Sequence, residues 1–173
     1  MPNTPLDAIL AEMDNQKKVL FVSITSAISD YWDWFQEQNR AVLQQRNAGL
    51  TDKLLAHVAP VLEKKVSKKK IITDNGVETK EYAPKYYLIW KAFNNNSYRR
   101  INKQASVYIP VGSPENIVSV ISKKCTWELH QFLKTEEILA PLRYQLEVIH
   151  QAEIQIRKTQ RVIERKYNQQ KEV

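Results

Sequence analysis

Cysteine is almost absent from this chain of 173 residues: Cys125 stands alone, so no disulfide can close within it. That usage gives no sign of an oxidising compartment, and a reducing cytoplasm is the expected setting. Glycine is nearly as scarce. Gly49, Gly76 and Gly112 are too few and too far apart for a phosphate-cradling loop or a dinucleotide fingerprint, which argues against nucleotide-driven chemistry. Long apolar runs are missing as well. No stretch approaches the ~18 apolar residues of a membrane span, and the first twenty residues have no positive region leading into an apolar one, so neither a span nor a secretory leader is expected. His57, His130 and His150 are scattered without metal-ligand spacing, and a single thiol makes a zinc site of the usual kind a poor fit. No metal and no cofactor are expected.

Catalytic constellations are lacking too. Asp30 and Asp33 share a helix face, and Glu136 and Glu137 are adjacent, but acids on a solvated helix face account for both pairs. A tyrosine nucleophile would need supporting histidines or acidic metal ligands that cannot be assembled here. The chain reads as a non-enzyme. With few glycines and seven prolines it has little linker, and order is expected nearly throughout, with fraying at 1–3 and beyond about residue 166.

What the chain does have is positive charge, concentrated in one place. Residues 51–112 carry twelve Lys or Arg against five Asp or Glu, a surplus of 7 that equals the net charge of the whole protein, while residues 1–50 carry −2 and residues 113–173 carry +2. A local positive surface interleaved with Tyr and Trp suits a polyanion better than a small metabolite.

The length allows one ordinary domain, 1–173, in three segments. The first, 4–48, opens on Thr4-Pro5-Leu6-Asp7, an N-cap, a proline at the first helical position and an acid suited to the helix dipole. Leu6, Leu10, Met13, Leu20, Ile24, Ala27, Tyr31, Trp34 and Ala41 then recur at steps of three and four, with Lys17 and Gln38 as lapses. One helix of about forty residues, about 60 Å long, is predicted, ending at Asn47-Ala48-Gly49. Tyr31, Trp32, Trp34 and Phe35 cover more than one side of it and require something besides a single coiled-coil neighbour.

The second segment, 51–112, reads as a short helix followed by an antiparallel meander. Thr51-Asp52 is an N-cap signal, and Leu54, Leu55, Val58, Val61, Leu62 and Val66 keep helical spacing despite Pro60, although residues 58–70 fit helix or strand. Asn75-Gly76 marks a hairpin between Ile71-Ile72-Thr73 and Val77-Glu78-Thr79. Strands are predicted over Lys85–Phe93 and Tyr98–Pro110. In the latter, Ile101, Ala105, Val107 and Ile109 point one way, and Tyr98, Arg100, Asn102, Gln104, Ser106 and Tyr108 the other. The third segment, 113–169, begins at Ser113-Pro114-Glu115 and is helical in pattern, with a break or kink expected at Pro141. The fold class is therefore α+β: two long antiparallel helices packed with a small central antiparallel meander. Association of two copies through the same apolar seams satisfies the pattern equally.

Three groups of residues could meet a polyanion. Lys64, Lys65, Lys68, Lys69 and Lys70 lie close enough for several to face one phosphate backbone. Tyr98, Arg99, Arg100, Asn102, Lys103, Gln104 and Tyr108 offer amides and guanidinium groups that can read base edges and rings that can stack. Beside them on the preceding strand would stand Lys85 and either Tyr86 and Trp90 or Tyr87 and Lys91. The C-terminal Arg157, Lys158, Arg161, Arg165, Lys166 and Lys171 form a third group, diluted by Glu153 and Glu164 into what is equally a solvated coiled-coil face.

The run Tyr86-Tyr87-Leu88-Ile89-Trp90-Lys91, followed by Tyr98-Arg99-Arg100, Tyr108-Ile109-Pro110 and a helix with Trp127-Glu128, resembles the MobI-type proteins of conjugative elements over about residues 84–140. The resemblance implies an accessory protein of conjugation and mobilisation that binds the origin of transfer and assists a separate relaxase, without an active site of its own. The expectation is thus a cytoplasmic, non-enzymatic protein that binds duplex DNA at a specific site, with a relaxase or other transfer protein as partner, no membrane, and a homodimer as an option. The rival is a helical protein-interaction scaffold with a basic surface.

Overall fold

The computed structural model describes residues 5–73, 76–82, 84–93, 106–109, 114–123 and 125–171. The class is α+β. Helix α1 spans Pro5–Asn47, and among the described residues five strands follow: β1 (Val58–Lys65), β2 (Lys68–Thr73), β3 (Gly76–Glu81), β4 (Lys85–Phe93) and β5 (Ser106–Ile109). Helix α2 (Pro114–Ser122), a 3₁₀ turn (Thr126–Glu128) and helix α3 (Leu129–Lys171) complete the chain. It divides into two compact units, Met1–Ile24 with Pro141–Val173, and Thr25–Ala140, so that α1 and α3 each contribute to both.

The predicted N-terminal helix forms with 43 residues and stops where Gly49 takes a left-handed φ of 72°. Gly49 N–H bonds to the Arg46 carbonyl at 3.0 Å and Leu50 N–H to that of Gln45 at 2.9 Å, the paired bonds of a Schellman stop.

In the helical unit the two long helices run antiparallel, since Asp7 accepts a hydrogen bond from Gln160 at 2.8 Å and Lys17 pairs with Glu153 at 2.7 Å. Leu20, Ile24 and Leu146 are buried there. The lapse at Lys17 in the apolar repeat is thereby explained. On α3, Leu146 and Glu153 stand seven residues apart and both are buried, and the Glu153 carboxylate in that stripe is met by Lys17 of α1. Glu153 therefore does not belong to a solvated face.

In the mixed unit, β1, β4 and β5 form one antiparallel sheet in the order β1-β4-β5, and β2 and β3 form a separate hairpin. The core is aromatic. Trp90 on β4 is fully buried, edge-on to Tyr31 of α1 (5.2 Å between centroids) and to Phe132 of α3 (4.7 Å), each such pair adding about 0.5–1.5 kcal/mol beyond the area it buries. The excess of aromatic residues on α1 is absorbed in the same way, with Trp32 against Phe93 and Trp34 against Trp127.

Two expectations are corrected. The short helix over 51–66 does not form: residues 51–57 have no regular structure and 58–65 are strand β1. Val58, Ala59 and Pro60 are all buried, a continuous run that suits a strand with both faces covered, and Pro60 is acceptable because β1 lies at the edge of its sheet. Nor does Pro141 divide the last helix, since α3 continues through it from Leu129 to Lys171. Pro141 and Glu137 are both exposed, so the helical bond that the proline removes lies on an exposed side of α3. The helical pattern is instead interrupted at 125–128, where the 3₁₀ turn brings Trp127 and Glu128 to residues 54–58.

Candidate nucleic-acid interface

The start of β1 is held by side chains on the edge away from β4. Tyr31 O–H donates to the Val58 carbonyl at 2.9 Å, Trp32 Nε1–H to that of Pro60 at 3.2 Å, and the Asn39 amide both accepts from Ala56 N–H at 2.7 Å and donates to the Ala56 carbonyl at 3.1 Å. From the other end of the sequence, Glu128 accepts from Val58 N–H at 2.6 Å, from His57 N–H at 3.1 Å and from His57 Nδ1 at 3.1 Å. Glu128 is 0% exposed and His57 2%. At Val58 and Pro60 the edge that could otherwise recruit a foreign strand is used internally, and the start of β1 is held in place.

That anchoring fixes the strand from which the basic ribbon continues. β1 pairs with β4 from Val58↔Ala92 to Lys65↔Lys85, Tyr82 N–H then bonds to the Ser67 carbonyl at 2.9 Å, and β2 pairs with β3 from Lys68↔Glu81 to Thr73↔Gly76. The hairpin predicted from Asn75-Gly76 is present, with Gly76 as the first residue of β3 at φ 120°, a value only glycine adopts without strain. The two ladders thus follow one another along the same pair of chain segments. Lys64, Lys65, Lys68, Lys69 and Lys70 are all exposed, five ammonium groups within seven residues and no acid among them.

Register sorts the sheet end of this ribbon. Because directly opposed residues in an antiparallel pair share a face, Lys65, Lys85, Tyr87, Glu63 and Lys91 lie on one face of β1 and β4, and Lys64 lies on the other with Tyr86. Lys65 Nζ stands 5.0 Å and Lys85 Nζ 5.1 Å from the centre of the Tyr87 ring, so two ammonium groups lie against one half-buried aromatic. Lys91 is ion-paired with Glu63. Of the two alternatives for the aromatic partners on β4, Trp90 is ruled out as a stacking residue: it is fully buried and its indole N–H donates to Glu136 at 2.6 Å. Glu136, expected on a solvated face, is that acceptor.

Tyr98, Arg99, Arg100, Asn102, Lys103 and Gln104 lie outside the described residues. Of the return strand, Ser106–Ile109 is described and pairs with β4, Lys91 facing Tyr108 in register. Sequence reasoning missed Asn39, His57 and Glu128, whose roles depend on partners 17 to 71 residues away. Among the described residues no group of three His, Cys, Asp or Glu side chains is arranged to hold a metal, and no helix is long and apolar enough to cross a membrane.

Fold and surface together define an α+β protein whose most basic feature is an exposed two-stranded ribbon. No protein-family model matches the chain, and no curated protein and no solved structure matches it either.

Proposed function

We propose that this is a non-enzymatic DNA-binding protein whose ribbon grips the phosphate backbone. The observation that carries the reading is the exposed run Lys64, Lys65, Lys68, Lys69 and Lys70, continued by Lys85 beside Tyr87. Five or six ammonium groups along a ribbon displace condensed counterions on meeting a duplex, and that release supplies much of the free energy of binding to nucleic acid. A duplex is favoured over a single strand because a two-stranded ribbon fits the major groove, whereas Trp90, the largest ring on β4, is buried and closed to stacking. Base reading is assigned to Arg100, Asn102 and Gln104, and the resemblance over about residues 84–140 supports a role as accessory factor at an origin of transfer, beside a separate relaxase.

Fluorescence polarisation of the whole protein on selected and random duplexes tests both levels. Arg100→Ala should weaken binding to a preferred site more than to random DNA, and charge reversal at Lys68, Lys69 and Lys70 should weaken both. Equal losses on both DNAs from Arg100→Ala would remove the readout assignment.

A second reading, a helical scaffold, draws on Val19, Val22, Tyr144 and Val148, which are exposed in the helical unit. Under that reading, light scattering shows self-association that Val22→Lys abolishes, and DNA binding shows no sequence preference.

A further inference from the structure

The hairpin β2–β3 has two unlike faces. Alternation along its register places Lys68, Lys70 and Ile72 on one face with Glu81, Thr79 and Val77 opposite them, and Lys69 and Ile71 on the other with Lys80 and Glu78. On the first face Ile72 and Val77 are directly paired and stand 87% and 66% exposed, an aliphatic pair presented to solvent next to a lysine-lined stem. Ile71, one residue away, is half-buried on the face that carries the acid Glu78. Adjacent exposed aliphatic side chains rimmed by charge have the make-up of a contact surface.

We infer that the face of Lys68, Lys70, Ile72, Val77 and Thr79 enters the major groove of duplex DNA and that Ile72 and Val77 pack on the C5 methyl groups of thymine. The inference rests on reading the ribbon as a DNA-binding element and adds which face meets the bases and which base it prefers. Three features support it. The groove admits a two-stranded ribbon, and thymine methyls are the apolar feature on its floor. The six residues of β2 span ~20 Å, enough to follow the groove over several base pairs. The chosen face has lysines for the phosphates and a hydroxyl at Thr79; its acid, Glu81, stands opposite Lys68 at the end of the hairpin away from the aliphatic pair, whereas Glu78 on the other face is one residue from Val77. A membrane surface is the other occupant with affinity for aliphatic and cationic groups together. It is disfavoured because two aliphatic side chains offer an acyl layer little apolar area to bury.

The test compares the whole protein on an alternating d(AT) duplex and its d(AU) counterpart, which differ only in the major-groove methyls. Removal of the methyls should weaken binding by about fourfold for each methyl lost from contact. The variant Ile72→Ser with Val77→Ser, which removes only exposed side chains and should melt with the parent, should bind both duplexes with the weaker affinity. Equal affinity of the parent for the two duplexes, or the same methyl preference in parent and variant, overturns the inference while leaving the ribbon's grip on DNA intact. Absence of binding to either duplex at low salt overturns the DNA-binding reading itself. Binding to phosphatidylserine vesicles that the double variant loses, with DNA binding unchanged, assigns the aliphatic pair to a membrane and also overturns the inference.

Discussion

Removal of Glu128 should unfold the mixed unit under conditions where the parent is stable. Its carboxylate is completely buried and accepts three N–H groups: Val58 N–H at 2.6 Å, His57 N–H at 3.1 Å and His57 Nδ1 at 3.1 Å. Glu128→Ala leaves all three donors in a dry interior. At about 1–3 kcal/mol for each abandoned donor, the loss is on the order of 3–9 kcal/mol, comparable with the entire stability of an ordinary domain, roughly 5–15 kcal/mol. Glu128→Gln keeps the shape and one acceptor oxygen but turns an amide NH₂ toward the remaining donors, for an expected loss of about 2–4 kcal/mol. Trp32, Trp34, Trp90 and Trp127 all lie within residues 25–140, so tryptophan fluorescence during urea unfolding reports this unit. A Glu128→Ala protein within about 1 kcal/mol of the parent, the net contribution of one ordinary hydrogen bond, would refute the claim that this carboxylate locks β1 in place.

Three further outcomes are expected. Lys17→Met leaves the Glu153 carboxylate buried without its base and should cost about 2–3 kcal/mol, below the full value for a buried pair because Lys17 is partly exposed. Lys17→Met combined with Glu153→Leu should melt within a few degrees of the parent by far-UV circular dichroism, and a double variant no better than the single would contradict the pairing. Burial, reinforced by the Glu128 charge, pushes the Cys125 thiol up to about 12, so at pH 8 only about one thiol in ten thousand is ionised and an aromatic disulfide reagent should react far more slowly with native than with urea-unfolded protein. The same shift makes stability fall with rising pH. The unfolded chain releases the thiol proton near its ordinary value of 9.0 while the folded one holds it, so urea midpoints should decline from pH 9 upward, and less steeply in Cys125→Ala.

The parts of this structure legible in sequence are those governed by neighbours in the chain. The proline and acid that open α1, its three-four repeat and the glycine that closes it are local signals, and α1 runs from Pro5 to Asn47 with Gly49 left-handed. Asn75-Gly76 and the lysine cluster are local too, and give the hairpin and its charge. β1 is not legible because Leu54, Leu55, Val58, Val61 and Leu62 satisfy helical spacing while Val58-Ala59-Pro60 also makes a buried strand. The choice between them is made by Tyr31, Asn39 and Glu128, 17 to 70 residues away. The candidate site divides in the same way. The lysines could be named from composition, but that Lys65 and Lys85 share a face with Tyr87 while Trp90 turns into the core depends on the register of β1 against β4.

The most direct test of the account is the salt dependence of binding between the whole protein and duplex DNA, for the parent and for a protein with Lys68, Lys69 and Lys70 changed to Glu. The logarithm of affinity should fall linearly with the logarithm of salt concentration, with a slope of about −4.5 to −5.4 for the five or six lysines of the ribbon, at about −0.9 for each phosphate neutralised. The charge-reversed protein should have a slope shallower by at least about 2.5 and the same melting temperature. No binding at low salt, or a slope that the reversal leaves unchanged, would contradict a DNA-gripping ribbon.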